Sequence, residues 1–128
     1  VAQIERITQV LGSRDSVENQ YRSALGSFSH IRFQRRDLPG RKKVTWFVCI
    51  LVDPGKRDDY IKKLKEARID ARPFFYPLHQ MEIYKQYTGN GPISEEISQS
   101  GIMLPASPLV VNREVIQVIK KVFHDKMY

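Results

Sequence analysis

The segment from Ala71 to His79 holds residue types that suit a ligand-facing wall. Its sequence is Ala-Arg-Pro-Phe-Phe-Tyr-Pro-Leu-His, so two prolines stiffen an aromatic loop that ends in an imidazole. Apolar walls with a few polar groups are typical of ligand pockets, and an imidazole titrates near neutral pH. The planar guanidinium of Arg72 could hold a phosphate or a carboxylate. These residue types favour a binding segment.

The same segment allows a structural interpretation. Phe74, Phe75 and Tyr76 could fill the core, and His79 could be a hydrogen-bonded turn residue. Arg72 could be an exposed charge on a strand. The residues alone leave both interpretations open.

The other chemically capable side chains do not form a recognisable catalytic or metal site. His30, His79 and His124 are far apart in the sequence, so a zinc site built from them would lack closely spaced ligand pairs. Cys49 lies inside an apolar run, where a thiol is normally inert packing. The sequence has neither a Walker A loop nor a Gly-x-Gly-x-x-Gly motif. We therefore expect no metal ligands and no catalytic residue, and the motifs do not favour a free-standing enzyme.

A basic cluster surrounds the turn at Pro39-Gly40 and offers an alternative function. Its members could grip nucleic acid, with Phe28, Phe33 and Trp46 as stacking surfaces. Such charges are more often solvated, and no RNP, KH or helix-turn-helix signature accompanies them. A nucleic-acid partner is therefore the less favoured hypothesis. The cluster consists of Arg32, Arg35, Arg36, Arg41, Lys42 and Lys43.

Helical periodicity occurs in four stretches that could position these residues. Apolar residues recur at three- and four-residue spacings from Ala2 to about Leu25, where Gly12-Ser13 could introduce a bend. A second helix is predicted from Arg57 to Arg68, and a third from Pro92 to near Gly101. Asn112 can cap a last helix. The apolar face of that helix is Val115, Ile116, Ile119, Val122 and Phe123.

Extended segments are predicted between these helices. His30 to Gln34 alternates polar and apolar residues as an edge strand does, and Arg35 to Lys43 is typical of a mobile basic turn, so a hairpin follows. Val44 to Val52 is apolar on both alternating faces, which predicts an interior strand covered on both sides.

Two more extended pieces, Ile69 to Phe74 and Ile102 to Pro105, enclose a long irregular stretch from Phe75 to Gly91. Loops of that length in a compact domain are usually functional or disordered, and the aromatic content argues against disorder. The order of elements predicts an α+β fold, a small and mostly antiparallel sheet covered by helices.

Length and composition bound the class of protein. The chain has 128 residues, 41% hydrophobic and 27% charged, which predicts one compact soluble domain. The apolar run from Val44 to Val52 is much shorter than the roughly twenty residues of a membrane span. No signal peptide is visible at Val1 to Ile4, and the single Cys49 requires no oxidising compartment, so we expect the cytoplasm. The net charge of +7 could reflect a polyanion, a phosphorylated substrate, or an acidic complement elsewhere in a longer protein.

A family resemblance appears in the segment from Ile69 to Met81 with Tyr84. It resembles the "gI-x-tRp-x-y-x-PLH" pattern of the DegT/DnrJ/EryC1/StrS sugar aminotransferases, and its Arg-Pro-Phe-Phe-Tyr-Pro-Leu-His form is most similar to GDP-perosamine synthase-like members. Further matches follow the family's order over nearly the whole chain. They are Gln3 to Ile7 with Tyr21, a strand with Trp46, Arg57-Asp58, and Ile97 to Pro108, which is similar to "a-x-x-g-l-x-LPs-x-p".

The resemblance implies that residues 1–128 form the single C-terminal domain of a fold-type I aminotransferase. The large N-terminal domain, absent here, would hold pyridoxal 5'-phosphate (PLP) on a lysine. An amino acid such as glutamate would supply the amino group that the cofactor transfers to a nucleotide-linked keto-sugar. The partners implied are that N-terminal domain, the nucleotide sugar and, in the full-length protein, a second subunit, with no membrane.

The resemblance also implies roles for individual residues. The substrate-binding residues would be Arg72, Phe75, Tyr76 and His79, with no catalytic or cofactor-binding residue in this chain. Lys85 follows the matching segment but corresponds to no catalytic lysine. We therefore expect the isolated chain to bind no PLP and to be inactive. The alternative is a non-catalytic module that binds a partner or dimerises.

Overall fold

The computed structural model describes residues 2–36, 39–87 and 89–124. These residues form five α-helices, four β-strands and two short 3-10 helices. The predicted order of helices and strands is confirmed, except that the leading helix is divided in two and the stretch predicted as irregular contains the 3-10 helices. In chain order the elements are α1 (Ala2–Glu5), α2 (Ile7–Leu25), β1 (Arg32–Phe33), β2 (Val48–Leu51), α3 (Arg57–Glu66), β3 (Arg72–Pro73), the 3-10 helices Leu78–Gln80 and Glu82–Tyr87, α4 (Pro92–Ser100), β4 (Gly101–Leu104) and α5 (Arg113–His124).

The strands form one antiparallel sheet in the order β1-β2-β4-β3. In its centre Ile50 lies opposite Ile102, and Cys49 lies opposite Met103. Residues opposite each other on adjacent strands point to the same face, and successive residues alternate between faces. The two faces of the sheet therefore carry different side chains, and the predicted α+β class with a small antiparallel sheet is confirmed.

One face of the sheet is covered by α2, α3 and α5, and the core lies between them. The central strands contribute Val48 and Ile50 from β2 and Ile102 and Leu104 from β4, all fully buried. Burying each such side chain stabilises the fold by about 1.5–3 kcal/mol. The helices contribute Val17, Tyr21 and Leu25 from α2, Tyr60, Ile61 and Leu64 from α3, and Ile116, Ile119 and Phe123 from α5.

Two local signals end or begin helices at the core. Asn112 caps α5 as predicted, since its Oδ1 accepts a hydrogen bond from the backbone N–H of Val115 at 2.9 Å. After α3 the chain reverses through the left-handed residue Arg68, with φ +61°. The backbone N–H groups of Arg68 and Ile69 bond the carbonyls of Lys65 at 2.9 Å and Leu64 at 2.8 Å, the two bonds of a Schellman motif.

The central strand is shorter than the run Val44 to Val52 predicted. It begins only at Val48, and before it Val44 and Trp46 are 59% and 66% exposed. The reason is a polar contact, because the Thr45 hydroxyl donates to the buried Glu18 carboxylate at 2.6 Å and draws this segment toward α2. Coverage of the strand on both sides was also predicted. Helix α4 lies on the second face of the sheet, but Cys49 on that face is only partly buried.

The first helix is interrupted at Arg6. The prediction was a bend at Gly12-Ser13. The chain remains helical through both residues, and the Ser13 hydroxyl donates to the carbonyl of Val10 at 2.9 Å, which satisfies it within the helix. The predicted apolar face is buried only in its second half, because Ile4 and Ile7 are exposed. Among the described residues, no helix combines the length and the apolar character that crossing a membrane requires.

Candidate functional site

The second face of the sheet borders an apolar groove of about 370 Å³. Cys49 and Met103, which point away from the core, form its floor. Ile97 and Ser98 of α4 line one side, and Trp46 lies on the rim toward β2. Because α4 reaches this face, the sheet has helices on both sides, with the groove between α4 and the segment before β2.

The segment Phe74–Pro77 covers part of the groove and is held tightly against the end of α4. The Phe74 ring lies on Gly101, where an added Cβ would come within 2.2 Å of the ring. The Phe74 backbone N–H also bonds the Gly101 carbonyl at 3.2 Å, and the Ser98 hydroxyl donates to the Phe75 carbonyl at 3.0 Å. Only glycine at position 101 leaves room for this ring.

His79 is fixed from two sides at the end of the aromatic segment. Its Nε2 lies 2.7 Å from Oε1 of Glu95 on α4, and its ring packs on Gly91, where an added Cβ would come within 2.6 Å of Cε1. The His79 side chain is 21% exposed. The imidazole is thus a partly buried, hydrogen-bonded group with a restricted orientation.

The structure brings three of the four predicted substrate-binding residues together. Phe75 and Tyr76 are 69% and 78% exposed, so they do not fill the core as the structural interpretation required, and Phe75 lines the groove. His79 follows in the same loop. Exposed aromatic rings on an anchored backbone fit a ligand-facing wall, and their substrate contact stays a prediction.

The fourth residue, Arg72, lies on β3 with its guanidinium already engaged. Its Nε and Nη2 donate to the two carboxylate oxygens of Asp70 at 3.2 and 2.9 Å. The hydrogen bond from Arg72 lowers the pKa of the Asp70 carboxyl. An anionic ligand would compete with Asp70 for the same two donors, so Arg72 is less available to a phosphate than its sequence context predicted.

A buried carboxylate that the sequence analysis missed organises the basic cluster. Glu18 on α2 is 1% exposed, and its oxygens accept bonds from Lys43 at 2.5 Å, Arg22 at 2.8 Å and Thr45 at 2.6 Å. Burial raises the pKa of Glu18, but the bonds from these donors outweigh that effect and lower the pKa to about 2. The sequence held one sign of this cluster, because Glu18 and Arg22 are four residues apart on a predicted helix and could therefore form an ion pair.

Several charges of the basic cluster are therefore compensated. Arg36 lies 3.5 Å from the Glu18 carboxylate, and the exposed Arg32 pairs with Glu96 at 3.1 Å. Phe33, one of the predicted stacking surfaces, is covered by the Arg22 guanidinium 4.8 Å from its ring centre. These contacts do not favour a nucleic-acid surface, which would leave such groups open to phosphates and bases.

His30, His124 and Cys49 contribute to the structure of the domain. His30 bonds the carbonyl of Phe123 at 3.1 Å and stacks on Phe28, whose ring also has an edge contact with His124. Burial raises the pKa of the Cys49 thiol, which keeps it in the unreactive form. Within residues 2–36, 39–87 and 89–124, no three His, Cys, Asp or Glu side chains are placed to hold a metal ion.

The groove does not fit PLP, the cofactor implied by the family resemblance. That cofactor needs a lysine amine free to bond its aldehyde and polar groups for its phosphate and ring nitrogen. Lys43 lines the groove, but its ammonium is committed to Glu18. Lys85 lies outside the groove's lining and pairs with Glu82. The remaining lining is mostly apolar and does not match the polar groups of the cofactor.

Comparisons with known proteins agree with the sequence pattern. Residues 1–123 match the model of the DegT/DnrJ/EryC1/StrS aminotransferase family. The GDP-perosamine synthase of Escherichia coli O157:H7 is 26% identical over 123 residues, which are 95% of this chain and 33% of that protein. The GDP-perosamine synthase of Caulobacter vibrioides is 29% identical over 124 residues, 93% of this chain and 33% of that protein. The chain spans about a third of the length of these relatives.

Solved structures show the same fold. The aminotransferase TlmJ from Streptoalloteichus hindustanus superposes with a TM-score of 0.82 at 21% identity, over 96% of this chain and 33% of that chain. DesV from S. venezuelae, solved in complex with a ketimine intermediate, superposes with a TM-score of 0.84 at 17% identity, over 99% of this chain and 35% of that chain. The PLP-form of Spr1654 from Streptococcus pneumoniae superposes with a TM-score of 0.82 at 20% identity, over 99% of this chain and 34% of that chain.

Proposed function

Because this chain belongs to the DegT/DnrJ/EryC1/StrS aminotransferase family, we propose that it is the C-terminal domain of a PLP-dependent aminotransferase acting on a nucleotide-linked keto-sugar. The observation that carries the proposal is the anchored loop from Phe75 to His79, which displays exposed aromatic rings in a domain that matches the family over 1–123. The GDP-perosamine synthases among its relatives support a sugar nucleotide as the substrate class.

In this proposal the chain supplies a wall of the binding site, and another part of the protein supplies the lysine and the cofactor. Phe75 and Tyr76 present flat apolar surfaces, which suit the C–H faces of a sugar or a nucleobase. His79 offers a polar contact beside them. The cofactor, when bound elsewhere in the protein, supplies the electron sink for amino transfer. The residues of this chain bind and orient the substrate.

Exposed apolar side chains support contacts with further protein. Ile4, Ile7 and Val10 form an uncovered strip along α1 and the start of α2. A second group follows the aromatic loop. Contiguous apolar surface on a folded domain marks an interaction site. We propose that these surfaces pack against the rest of the protein and a second subunit. The second group consists of Leu78, Met81, Ile83, Tyr84, Tyr87 and Ile93.

The compartment proposed for this enzyme is the cytoplasm. The sequence has one cysteine, Cys49, which remains a free thiol, and this supports a reducing environment.

The test compares the complete protein encoded by the reading frame that contains this chain with the 128-residue chain alone. We expect the complete protein to bind PLP, seen as cofactor absorbance that co-elutes with it, and to transfer an amino group from glutamate to a keto-sugar nucleotide. The chain alone should do neither. Amino transfer by the chain alone, or a complete protein that neither binds PLP nor transfers an amino group, would contradict the proposal.

A second candidate function is a dimerisation or partner-binding module, which the exposed apolar group from Leu78 to Ile93 also supports. Sedimentation of the chain alone separates the two. A stable dimer at micromolar concentration, together with a reading frame that begins at this domain, would favour the module. A monomer that joins a dimer only as part of the longer protein would favour the aminotransferase.

A further inference from the structure

One side of α4, together with the residues that flank the helix, contacts the aromatic loop. Gly91, Glu95, Ser98 and Gly101 follow one another at spacings of four, three and three residues, which place them on one side of a helix. Each of them contacts a residue of the segment from Phe74 to His79. The loop and α4 therefore behave as one unit.

The pairing of Glu95 with His79 determines which ring nitrogen carries the proton. A carboxylate only accepts hydrogen bonds, so at 2.7 Å from Oε1 the Nε2 atom must be the donor. Glu95 lies in the first turn of α4, where the helix dipole stabilises a negative charge. In the neutral imidazole the proton is then on Nε2, and Nδ1 is left as a hydrogen-bond acceptor.

Steric contact fixes the same ring from the other side. A Cβ at position 91 would come within 3.0 Å of Nδ1 and within 2.6 Å of Cε1, so the imidazole rests directly on the glycine backbone. The ring cannot turn over without losing either the bond to Glu95 or this contact. Its orientation is therefore set by Glu95 and Gly91 together.

We propose that Glu95 is a positioning residue that fixes His79 as the Nε2–H tautomer, so that Nδ1 accepts a hydrogen bond from a hydroxyl group of the ligand. An acceptor nitrogen suits a sugar hydroxyl, whereas a phosphate requires donors. The sugar ring, and not the diphosphate, therefore lies at His79. The ligand assignment rests on the proposed function, while the tautomer does not.

Nitrogen-15 NMR of the His79 ring in the 128-residue chain, at a pH where the imidazole is neutral, tests the positioning. We expect the Nε2–H tautomer in the original chain and a mixture of tautomers in Glu95→Ala. Glu96→Gln is the matched control, because Glu96 is the next residue, is 62% exposed and pairs with Arg32 on the surface. It should leave the His79 signals unchanged.

A second variant shows whether the change in Glu95→Ala comes from His79 itself or from a general loss of structure. Gly91→Ala keeps Glu95 but inserts a methyl group where the ring now lies, and it should displace His79 and shift the same signals. An Nδ1–H tautomer in the original chain, or His79 signals that are identical in the original chain, Glu95→Ala and Gly91→Ala, would overturn the inference.

The ligand part is tested in the complete protein by titration with GDP-mannose and with GDP. Glu95→Ala should weaken GDP-mannose binding by about tenfold, the loss of one good hydrogen bond, and leave GDP binding unchanged. Equal weakening of both compounds would place the part that they share, the guanosine diphosphate, at His79 and overturn the assignment. If the original protein binds neither these compounds nor the corresponding UDP and dTDP compounds, the proposed function is contradicted, and the NMR result still decides on the tautomer.

Discussion

The Lys43 ammonium donates to the Glu18 carboxylate at 2.5 Å, although the two residues are 25 positions apart in the sequence. This bond joins the segment before β2 to the middle of α2. Together with the Thr45 hydroxyl at 2.6 Å, it holds the segment that ends in the groove-lining Trp46 and Phe47. One rim of the groove therefore depends on a buried carboxylate that does not itself face it.

Glu18→Gln should lower the free energy of unfolding by about 2–4 kcal/mol, because a buried ionic cluster loses its anion while its cations remain. The amide keeps the shape of the side chain, so the decrease in the free energy of unfolding measures the contribution of the negative charge. Urea denaturation followed by circular dichroism measures it. Glu96→Gln, which removes the exposed pair with Arg32, should cost less than about 1 kcal/mol. Equal losses in the two variants would contradict the role given to Glu18.

The stabilisation by Glu18 should depend on pH in a defined direction. Its pKa is lowered from 4.5 to about 2 in the folded chain, so the unfolded chain takes up this proton first as the pH falls. Stability from Glu18 is therefore fully present above about pH 4.5 and lost as the pH falls toward 2. The difference in unfolding free energy between the original chain and Glu18→Gln should shrink over that interval. A difference that stays constant from pH 6 to about pH 2 would show that the carboxylate is not the titrating group.

Arg68→Gly should stabilise the domain. Arg68 occupies the left-handed position of the Schellman motif with φ +61°, where a side chain costs about 1–2 kcal/mol and glycine costs little. Part of this gain is lost to the greater freedom of glycine in the unfolded chain, so we expect a net gain of about 0.5–1 kcal/mol. Arg68→Ala keeps the unfavourable φ and should change stability little. Thermal unfolding of both variants decides this, and a loss of stability in Arg68→Gly would contradict it.

Tyr21→Phe should leave stability unchanged or raise it by about 1 kcal/mol. The Tyr21 side chain is fully buried, and its hydroxyl has no hydrogen-bond partner among the described residues. A buried hydroxyl without a partner costs about 1–3 kcal/mol, and phenylalanine keeps the ring that fills the core. Tyr21→Ala calibrates the measurement, since losing the ring should cost about 3–5 kcal/mol. A clear loss in Tyr21→Phe would reveal a partner for the hydroxyl.

In the complete protein, Tyr76→Ala should raise the KM for the nucleotide sugar by about tenfold, equivalent to ~1.4 kcal/mol of binding. Its ring is 78% exposed, so the free energy of unfolding should change little. Leu109→Ala is the control, because that side chain is 96% exposed and lies outside the anchored loop and both apolar surfaces proposed to contact further protein. An equal rise in KM for both variants, or none for Tyr76→Ala, would argue against substrate contact by the loop.

Much of the fold was predictable because local signals agree with tertiary packing. The cap at Asn112 and the apolar spacing of Ile116, Ile119 and Phe123 give α5 directly. The start of the central strand was not predictable, because an apolar run gives no sign that Thr45 will be drawn toward Glu18. Side-chain contacts between residues far apart in sequence decide that boundary.

The candidate loop was predictable as a segment but not as a geometry, and its role as a site stays a prediction. The prolines and aromatic residues indicate a stiff loop, and the structure decides what the residues left open, since Phe75 and Tyr76 are exposed on it. The partner of His79 was missed, since Glu95 follows it by 16 residues on a separate helix. The pairing of Arg72 with Asp70, two residues away, was missed. Spacing along an extended segment does not show whether a side chain will pair with a neighbouring charge or remain in solvent.

The edges of the sheet formed by the described residues have a consequence for self-association. β1 and β3 lie at these edges, are two residues long, and each carries an exposed arginine, Arg32 or Arg72. Pro73 in β3 has no N–H to offer a further strand. Short, charged edges of this kind block sheet extension into aggregates. The domain can therefore display exposed aromatic rings while the edges of its sheet resist fibril-like stacking of further strands.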